Sequence, residues 1–367
     1  MVDRYVGTHE NSEYLTKQII TYIGNKRKLL PFIESSINSV KKELNTDKLT
    51  FLDMFSGTGV VSRLFKKHAS LIIANDLEDY SYYTNKCYLS NKNEINLKVL
   101  SEIQQMVLDS PVIYDGLFST LYAPIDDDDI KIGERVFYTR KNAIFLDTVR
   151  TALETVPKML RGYLLAPLLA EASIHTNTSG IFKGFHKKDG VGHFGGSGEN
   201  ALTRIKGNIH LNLPILSNFH CDYLVFQRDA NELNVDQPEV DLAYFDPPYN
   251  QHPYGSNYFM LNLLVNNKFP TDISEVSGIP KNWNKSKYNK KSMIKPLLFD
   301  LIDKCKAKFI LISYSSDGFI DEESLDLFLS KQGMVTKQTV DYNTYKGCRN
   351  LVNRNIKTKE FLYLLKK

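Results

Sequence analysis

Cysteine and long apolar runs are scarce in this chain, and their scarcity limits what kind of protein it can be. Only four cysteines occur in 367 residues, and none form a Cys-x-x-Cys pair. This usage fits a reducing compartment and argues against a zinc site, so we expect no metal. No stretch approaches the roughly 20 apolar residues of a membrane span, and the start, Met1 to Arg4, lacks a signal-peptide pattern. We therefore expect a cytoplasmic protein with no membrane partner.

An excess of charge of one sign is also missing. The chain carries 46 lysine and arginine residues against 42 acidic ones, a formal net charge of +4. A nucleic-acid partner would therefore have to be held by local basic patches. With 42% hydrophobic and 24% charged residues, the composition is typical of a globular protein. The length predicts roughly two domains with an ample core.

The most informative motif follows a predicted buried strand, Val240 to Phe245. This strand runs into the tetrapeptide Asp246-Pro247-Pro248-Tyr249. A carboxylate and the carbonyl of a proline-stiffened loop can both accept hydrogen bonds from one exocyclic amino group, and an aromatic ring can stack on a base removed from its helix. These residue types together indicate chemistry on a nucleobase amine. The alternative is an ordinary Asp-Pro-Pro turn at the end of a strand.

A strand, a tight glycine turn and a helix are predicted between Phe51 and Lys67. The turn reads Ser56-Gly57-Thr58-Gly59, and Asp53 lies just before it. Glycines in such a turn let a ligand approach the backbone closely. A lone Gly-x-Gly is a weak signal, because the third glycine of the dinucleotide fingerprint is missing.

Two further polar positions belong to the same pattern. A predicted strand from Leu71 to Ala74 leads to Asp76, and an acid at the carboxyl end of a neighbouring strand typically binds ribose hydroxyls. The alternative for this acid is a helix N-cap. Upstream, the loop from Tyr22 to Lys26 opens a basic cluster ahead of a predicted helix from Leu30 to Leu44. A lysine there can hold a carboxylate, although the cluster alone could equally be solvated charge.

The spacing of the predicted strands indicates a large insertion. About 150 residues separate Asp76 from Asp229, which ends another strand-like segment. Consecutive strands of a doubly wound sheet are usually joined by a single crossover. We therefore divide the chain into a catalytic domain of residues 1–85 and 215–367 and an inserted, partly helical recognition region of residues 86–214.

Two basic segments could supply a nucleic-acid surface. Between Asn177 and Gly198, glycines, aromatic residues and cations interleave, with Lys183, His186 and Lys187 as the candidate contacts. The alternative for this segment is a plain flexible linker.

The second basic segment, Lys281 to Lys308, holds nine lysines and two acids. Phosphates are the natural counterpart of such a block, and Lys285 and Lys287 are its candidate contacts. For any single lysine, a solvated surface position is the alternative. A weaker phosphate signal lies between Tyr345 and Asn350.

Taken in order, these segments resemble the DNA adenine-N6 methyltransferases, in particular their alpha group. The resemblance implies an α/β fold, a doubly wound Rossmann-like sheet with an inserted recognition domain, and S-adenosylmethionine as methyl donor. It implies that Lys26 contacts the methionine carboxylate, that Asp76 binds the ribose hydroxyls and that Asp229 accepts from the donor's adenine amine. The other donor contacts that it implies are Tyr22, Asp53, Phe55, Ser56, Gly57, Thr58, Gly59, Ala230 and Asp246. The first loop, Tyr22-Ile23-Gly24-Asn25-Lys26, departs from the commoner Trp-x-Gly-Gly-Lys form.

The chemistry of the amine predicts how the tetrapeptide would work. The lone pair of adenine N6 is delocalised into the ring, so N6 is a poor nucleophile until it is rehybridised. Asp246 and the Pro247 carbonyl would accept its two hydrogens and orient the lone pair, while Tyr249 stacks on the flipped base. Methyl transfer is then direct, with no covalent enzyme intermediate. Methylation at C5 of cytosine is disfavoured, because no cysteine follows a proline.

Three functions stay open at this point. The first is a DNA adenine-N6 methyltransferase acting on double-stranded DNA near the nucleoid of a bacterial or archaeal cell, with a restriction endonuclease for the same site as partner. The second is an RNA adenine methyltransferase. The third is a catalytically silent DNA-binding relative, which would be expected to have lost Asp246 or the glycine turn.

Overall fold

The computed structural model describes residues 9–17, 19–343 and 357–367. The predicted phosphate contact between Tyr345 and Asn350 lies outside these residues. The strands within them are β1 (Leu49–Asp53), β2 (Ala69–Asp76), β3 (Lys187–Lys188), β4 (Val191–Gly192), β5 (Asp222–Gln227), β6 (Val240–Phe245), β7 (Ala307–Ser315), β8 (Met334–Asn343) and β9 (Lys357–Lys366).

Seven of the strands form one sheet in the order β5-β2-β1-β6-β7-β9-β8, and β3 and β4 form a separate hairpin. Strands β5, β2, β1, β6 and β7 are parallel to one another. Strand β9 is antiparallel to both β7 and β8. The central strands are nearly continuous runs of apolar residues, as expected for a sheet covered on both faces. The predicted doubly wound α/β fold is confirmed.

Fourteen α-helices lie within the described residues. They are α1 (Ser12–Thr16), α2 (Leu30–Glu43), α3 (Val60–Phe65), α4 (Asp79–Tyr88), α5 (Leu97–Leu108), α6 (Leu117–Leu121), α7 (Arg140–Ala152), α8 (Lys158–Ile174), α9 (Leu202–Lys206), α10 (Ala230–Asp236), α11 (Tyr254–Asn257), α12 (Phe259–Asn266), α13 (Lys291–Lys304) and α14 (Glu322–Gln332). None of the helices in the described residues is long and apolar enough to cross a membrane.

Helices cover the sheet on both faces because successive strand residues point to opposite sides. On β1, Phe51 packs with the buried residues of α2 and α3, whereas Leu52 packs with those of α10, α13 and α14. On β6, Leu242 packs on the same face as Phe51, and Ala243 packs on the same face as Leu52. The order of the parallel strands reverses at β1, which has β2 on one side and β6 on the other. Ligands of doubly wound proteins bind at this position, outside the carboxyl ends of the strands.

A third core lies among the helices beside the sheet. It joins the buried faces of α4 to α8 with Tyr14 near the start of the chain and with the run from Tyr258 to Val265. This run begins nine residues after Tyr249. The chain that follows the Asp-Pro-Pro-Tyr motif is therefore anchored in the same core as the inserted helices.

Candidate active site

A cleft lies at the carboxyl ends of β1, β2 and β6. It encloses about 910 Å³ of space including its open mouth. Most of the residues predicted to bind the donor line it, namely Tyr22, Lys26, Asp53, Phe55, Ser56, Gly57, Thr58, Asp76, Asp229, Ala230 and Asp246. Pro248 also lines the cleft, whereas Gly59, Pro247 and Tyr249 are not part of its wall.

The glycine turn between β1 and α3 requires glycine at two positions. Gly57 and Gly59 have φ angles of +51° and +73°, in the left-handed region that disfavours other residues. A Cβ at Gly59 would lie 2.4 Å from Asn85 Oδ1, and Asn85 in turn donates to the Ser56 hydroxyl. The Gly57 N–H donates to Asp76 Oδ2 at 2.7 Å. The turn is therefore tied to the end of the neighbouring strand.

Two carboxylates face the cleft from the ends of β1 and β2, of which Asp53 is buried and Asp76 is half-buried. Asp53 is 1% exposed; its Oδ2 accepts from the Ser62 hydroxyl at 2.6 Å, and its Oδ1 is buried without a partner. Burial raises the pKa of Asp53 to about 7; the charges of Asp246 and Asp76 act in the same direction and the Ser62 hydroxyl opposes them. Burial also raises the pKa of Asp76 against its backbone hydrogen bonds. An unpartnered buried acceptor is suited to a cationic or N–H group of a ligand.

Lys26 forms two buried ion pairs at the end of β6. Its ammonium lies 3.1 Å from Asp246 Oδ1 and 2.6 Å from Glu360 Oε1. Burial disfavours the charge of Lys26, yet the two carboxylates raise its pKa well above the ordinary value. Burial raises the pKa of Asp246 to about 7, an effect that Lys26 opposes and Glu360 reinforces. The predicted donor-binding lysine and the predicted catalytic carboxylate are thus in direct contact.

The ring of Tyr249 lies beside this cluster. The Lys26 ammonium is 5.8 Å from its centroid, and the Tyr314 ring contacts it edge-on with centroids 5.9 Å apart. The Tyr249 carbonyl accepts from the Phe319 N–H at 3.0 Å. These contacts hold the last residue of the motif against β7 and the loop after it.

Tyr22 belongs to a stack of tyrosines that joins the first loop to the chain after the motif. Its ring stacks on Tyr254 and Tyr258, with centroids 5.0 and 4.7 Å away, and its hydroxyl lies 3.0 Å from that of Tyr80. The Tyr258 hydroxyl accepts from the Ile23 N–H at 2.7 Å. The aromatic position of this loop therefore has a packing role in addition to facing the cleft.

Another part of the cleft wall combines Asp229 with two aromatic residues, Phe55 and Tyr288. Asp229 caps α10 by accepting from the Asn231 N–H through Oδ1, and its Oδ2 lies 3.9 Å from the Lys287 ammonium. Phe55 and Tyr288 meet edge to face with centroids 5.0 Å apart. An aromatic wall beside a carboxylate is suited to an adenine ring with its amino group.

Sequence reasoning missed several residues at the cleft. Glu78 is 4% exposed; burial raises its pKa to about 8, and the hydrogen bond from Asn262 opposes that rise. Its position two residues after Asp76, past the end of β2, was the only signal that could have identified it. The other missed residues at the cleft are Asn25, Asn75, Tyr254, Asn284, Ser286, Tyr288 and Asn289.

The segment from Asn177 to Gly198 is folded, so the flexible-linker alternative is wrong. Strands β3 and β4 form a hairpin whose turn residues, Asp189 and Gly190, both have positive φ, as in tight hairpin turns. The His186 N–H donates to the Asn177 carbonyl at 3.1 Å. The Asn177 side chain holds the base of the hairpin through bonds to the His193 carbonyl and the Gly195 N–H.

This hairpin lies close to the chain that follows the motif. The Phe182 N–H donates to the Asn257 carbonyl at 2.8 Å. Burial lowers the pKa of His252, and the charge of Lys183 acts in the same direction. Lys183 and Lys187 are exposed and His186 is half-buried. The candidate DNA contacts of the insertion are thus adjacent to residues 250–257.

The segment from Lys281 to Lys308 does not form one basic face, so that prediction is wrong for its second half. β7 begins next to the start of β6, at the end of the sheet opposite the cleft, and α13 leads to that end. There Lys304 pairs with Asp300, and the Lys308 ammonium lies 2.8 Å from Asp241 Oδ1. The helix separates the lysines that follow one another in sequence.

Lys285 and Lys287 lie at the cleft end of the same segment. Both are exposed, and their neighbours Ser286 and Tyr288 line the cleft. The Lys285 ammonium is 5.5 Å from the centroid of the Trp283 ring. For these two lysines, the predicted contact with a phosphate near the cleft stays a prediction.

Comparisons with known proteins agree with this site. The family model described as D12 class N6 adenine-specific DNA methyltransferase matches residues 22–326. The chain is 30% identical to the type II methyltransferase M.NlaIII of Neisseria lactamica, over 95% of this chain and 99% of that protein. It is 26% identical to the type II methyltransferase M.CviAII of Paramecium bursaria Chlorella virus 1, over 94% and 98% respectively. It is also 29% identical to the modification methylase StsI of Streptococcus sanguinis, over 94% of this chain and 52% of that protein. The match across most of its length means that this chain belongs to the D12 class of N6 adenine-specific DNA methyltransferases.

Proposed function

We propose that this protein transfers a methyl group from S-adenosylmethionine to N6 of an adenine flipped out of double-stranded DNA, as the modification enzyme of a restriction-modification system. The observation that carries the proposal is the position of Asp246. It follows β6, which lies next to the strand at which the order reverses, it pairs with buried Lys26, and it lines the same cleft as Asp53 and Asp76.

The charges of the cleft favour a cationic donor. Asp53, Asp76 and Asp246 line it together with a single buried lysine, Lys26. S-adenosylmethionine supplies a methyl group on a positively charged sulfonium and carries an ammonium group as well. The unpartnered Oδ1 of Asp53 is suited to that ammonium. Lys26 has three N–H groups, and its two ion pairs leave one for the donor's carboxylate.

The remaining donor contacts follow from the same cleft. Asp76 would bind the ribose hydroxyls with the acceptor capacity left beside its bonds from the Gly57 and Glu78 N–H groups. Asp229 and Ala230 would meet the adenine ring across from Phe55. Tyr22, Ser56, Gly57 and Thr58 complete the proposed donor site, and Gly59, outside the cleft wall, would act by shaping the turn.

The target amine would be held by the Asp-Pro-Pro-Tyr motif. Asp246 and the Pro247 carbonyl accept the two N6 hydrogens, and Pro248 stiffens the loop. Tyr249 stacks on the flipped base, whose extrusion costs a few kcal/mol and is partly offset by ~1 to 3 kcal/mol of stacking. The amine becomes acidic once methylated, and Asp246 is then positioned to take its proton.

Double-stranded DNA would lie across the hairpin and the cleft mouth. We propose residues 86–214 as the target-recognition region inserted into a catalytic domain of residues 1–85 and 215–367. Lys183, His186 and Lys187 would contact DNA from the insertion, and Lys285 and Lys287 from the other side. The proximity of Lys183 to His252 supports this arrangement.

The printed names of the relatives favour a modification role. M.NlaIII is a type II methyltransferase and StsI is a modification methylase. We therefore propose that the cognate partner is a restriction endonuclease that cuts the sequence methylated by this protein. Both would act in the cytoplasm of a bacterial or archaeal cell, where the chromosome lies.

The test is methylation by the purified protein with radiolabelled S-adenosylmethionine and unmethylated double-stranded DNA. We expect label on adenine N6 within one short sequence, identified by sequencing the modified DNA. Asp246→Ala should lower the rate at least about 100-fold while calorimetry still detects donor binding. Lys304→Ala, which removes an exposed charge at the opposite end of the sheet, should label normally. Equal labelling of structured RNA, or normal labelling by Asp246→Ala, would contradict the proposal.

A further inference from the structure

Glu360 is a buried acid outside the cleft wall that is nevertheless connected to the motif. It lies on β9 and is 3% exposed. Its Oε1 accepts from the Lys26 ammonium at 2.6 Å and from the Ser313 hydroxyl at 2.8 Å. Because Glu360 does not line the cleft, it can influence a bound ligand only through its neighbours.

We propose that Glu360 is a positioning residue for methyl transfer, because it holds the Lys26 ammonium against Asp246 and thereby keeps this carboxylate in one orientation toward the target amine. The inference rests on the proposed role of Asp246 as acceptor of the N6 hydrogens.

The geometry explains why a second carboxylate is needed. A lysine side chain has a flexible four-carbon stem, so one ion pair does not fix its ammonium. Lys26 comes from the turn before α2, Asp246 follows β6 and Glu360 belongs to β9, so three parts of the chain meet at one nitrogen atom. Removing one partner from a buried ion cluster leaves the others poorly compensated. The carboxylate that faces the target would then lose its fixed position.

The charges around Asp246 predict in which direction its pKa changes when a neighbouring charge is removed. The titratable groups that interact with it are Lys26, Asp53, Tyr244, Tyr249, Tyr254 and Glu360. Glu360 raises the pKa of Asp246, and Lys26 lowers it. Neutralising Glu360 should therefore make Asp246 ionise at lower pH, and neutralising Lys26 should make it ionise at higher pH.

The first experiment compares the pH dependence of kcat/KM for wild type, Glu360→Gln and Lys26→Met. If Asp246 must be ionised, activity falls on the acid side as it becomes protonated. We expect the acid limb to move down by about one pH unit in Glu360→Gln and up by a similar amount in Lys26→Met, the lower end of the range for a nearby buried charge. Shifts in the same direction, or no shift in Glu360→Gln, would overturn the proposal.

The second experiment separates positioning from folding and from donor binding. At a pH above both limbs, Glu360→Ala should lower kcat about tenfold or more, as expected when a reacting group is misplaced. Calorimetry should find its affinity for S-adenosylmethionine within about twofold of wild type, and Glu360→Gln should recover most of kcat because its amide oxygen still accepts from Lys26. Thr358→Val is the matched control: Thr358 is buried on β9 and bonds to Ser315 and Ser316 instead.

The outcomes distinguish this inference from the proposed function. A folded Glu360→Ala with wild-type kcat, or one that loses only donor affinity, overturns the positioning role. Loss of activity in Thr358→Val to the same extent would show a general effect of β9 and also overturn it. If Asp246→Ala is inactive while the Glu360 variants behave as wild type, this inference fails alone. If Asp246→Ala is active, the proposed function of the motif fails first.

Discussion

Lys26 is the residue whose environment differs most from what its neighbours in sequence indicate. The basic cluster around it suggests a solvated charge or a contact to a carboxylate of the donor. In the folded chain it is buried, and both of its ion-pair partners are protein carboxylates, Asp246 and Glu360. With the donor contact proposed above, Lys26 would link donor binding to the position of Asp246.

Tyr249 is predicted to act through its ring rather than its hydroxyl. Tyr249→Ala removes the proposed stacking surface and should lower kcat/KM by an amount corresponding to roughly 1 to 3 kcal/mol. Tyr249→Phe keeps the ring and should stay near wild type. The measurement is steady-state methylation of a DNA duplex, together with fluorescence of an adenine analogue at the target position, which should brighten on extrusion by wild type and Phe alone. Equal losses in both variants would rule out stacking as the role of this residue.

At the scale of elements, the segment that leads into the β3–β4 hairpin contacts the chain after the motif, through the Phe182 N–H and the Asn257 carbonyl. Lys187 begins the hairpin, whose base is held by Asn177, and Lys183 precedes it in the same folded segment. A contact to phosphate from such a unit contributes affinity without reading sequence.

Replacing Lys183 and Lys187 together by Ala should weaken DNA binding and make it less sensitive to salt. Each phosphate contact contributes about 0.9 to the slope of log affinity against log salt, so the slope should fall by nearly two. The measurement is a salt titration of binding to a duplex by fluorescence anisotropy. Replacing Lys304 and Lys308 removes the same charge from the opposite end of the sheet and should leave the slope unchanged. If only the Lys304 and Lys308 replacements lowered the slope, the DNA would not bind at the hairpin.

At the scale of the whole molecule, the cleft concentrates buried acids whose folded-state pKa values are high. Burial raises the pKa of Asp53 and Asp246 to about 7 and that of Glu78 to about 8. In the unfolded chain such groups titrate near 4. The folded protein therefore binds these protons more tightly, and each group stabilises the fold at low pH and loses that contribution as pH rises through its folded-state pKa.

Asp53→Asn should make the stability of the donor-free protein less dependent on pH. Between pH 5 and 7, one such proton lowers the free energy of unfolding by up to about 1.4 kcal/mol per pH unit as the pH rises. The variant lacks this proton, so its free energy of unfolding should fall less steeply. The measurement is urea unfolding at several pH values. Asp241→Asn is the contrast, because the pKa of Asp241 is lowered: despite its burial, Lys308 and Thr50 stabilise its charge. Its removal should leave the slope in this interval unchanged, and an unaltered slope in Asp53→Asn would contradict the assignment.

The sequence alone determined the features that depend only on residues close together along the chain. The glycines of the turn after β1, the apolar run of β6, and the acids Asp76 at the end of β2 and Asp246 just after β6 are local patterns. Local sterics and hydrophobic period are enough to predict them. The strand ends then converge because parallel strands share one edge of a sheet.

Only the tertiary structure decided which distant groups meet. Lys26 and Glu360 are 334 residues apart, and no local periodicity relates them. The course of α13 separates Lys287 at the cleft from Lys308 at the opposite end of the sheet, although the sequence presents them as one basic block. A helix converts distance along the chain into distance in space, so charge density along the sequence does not report charge density on the surface.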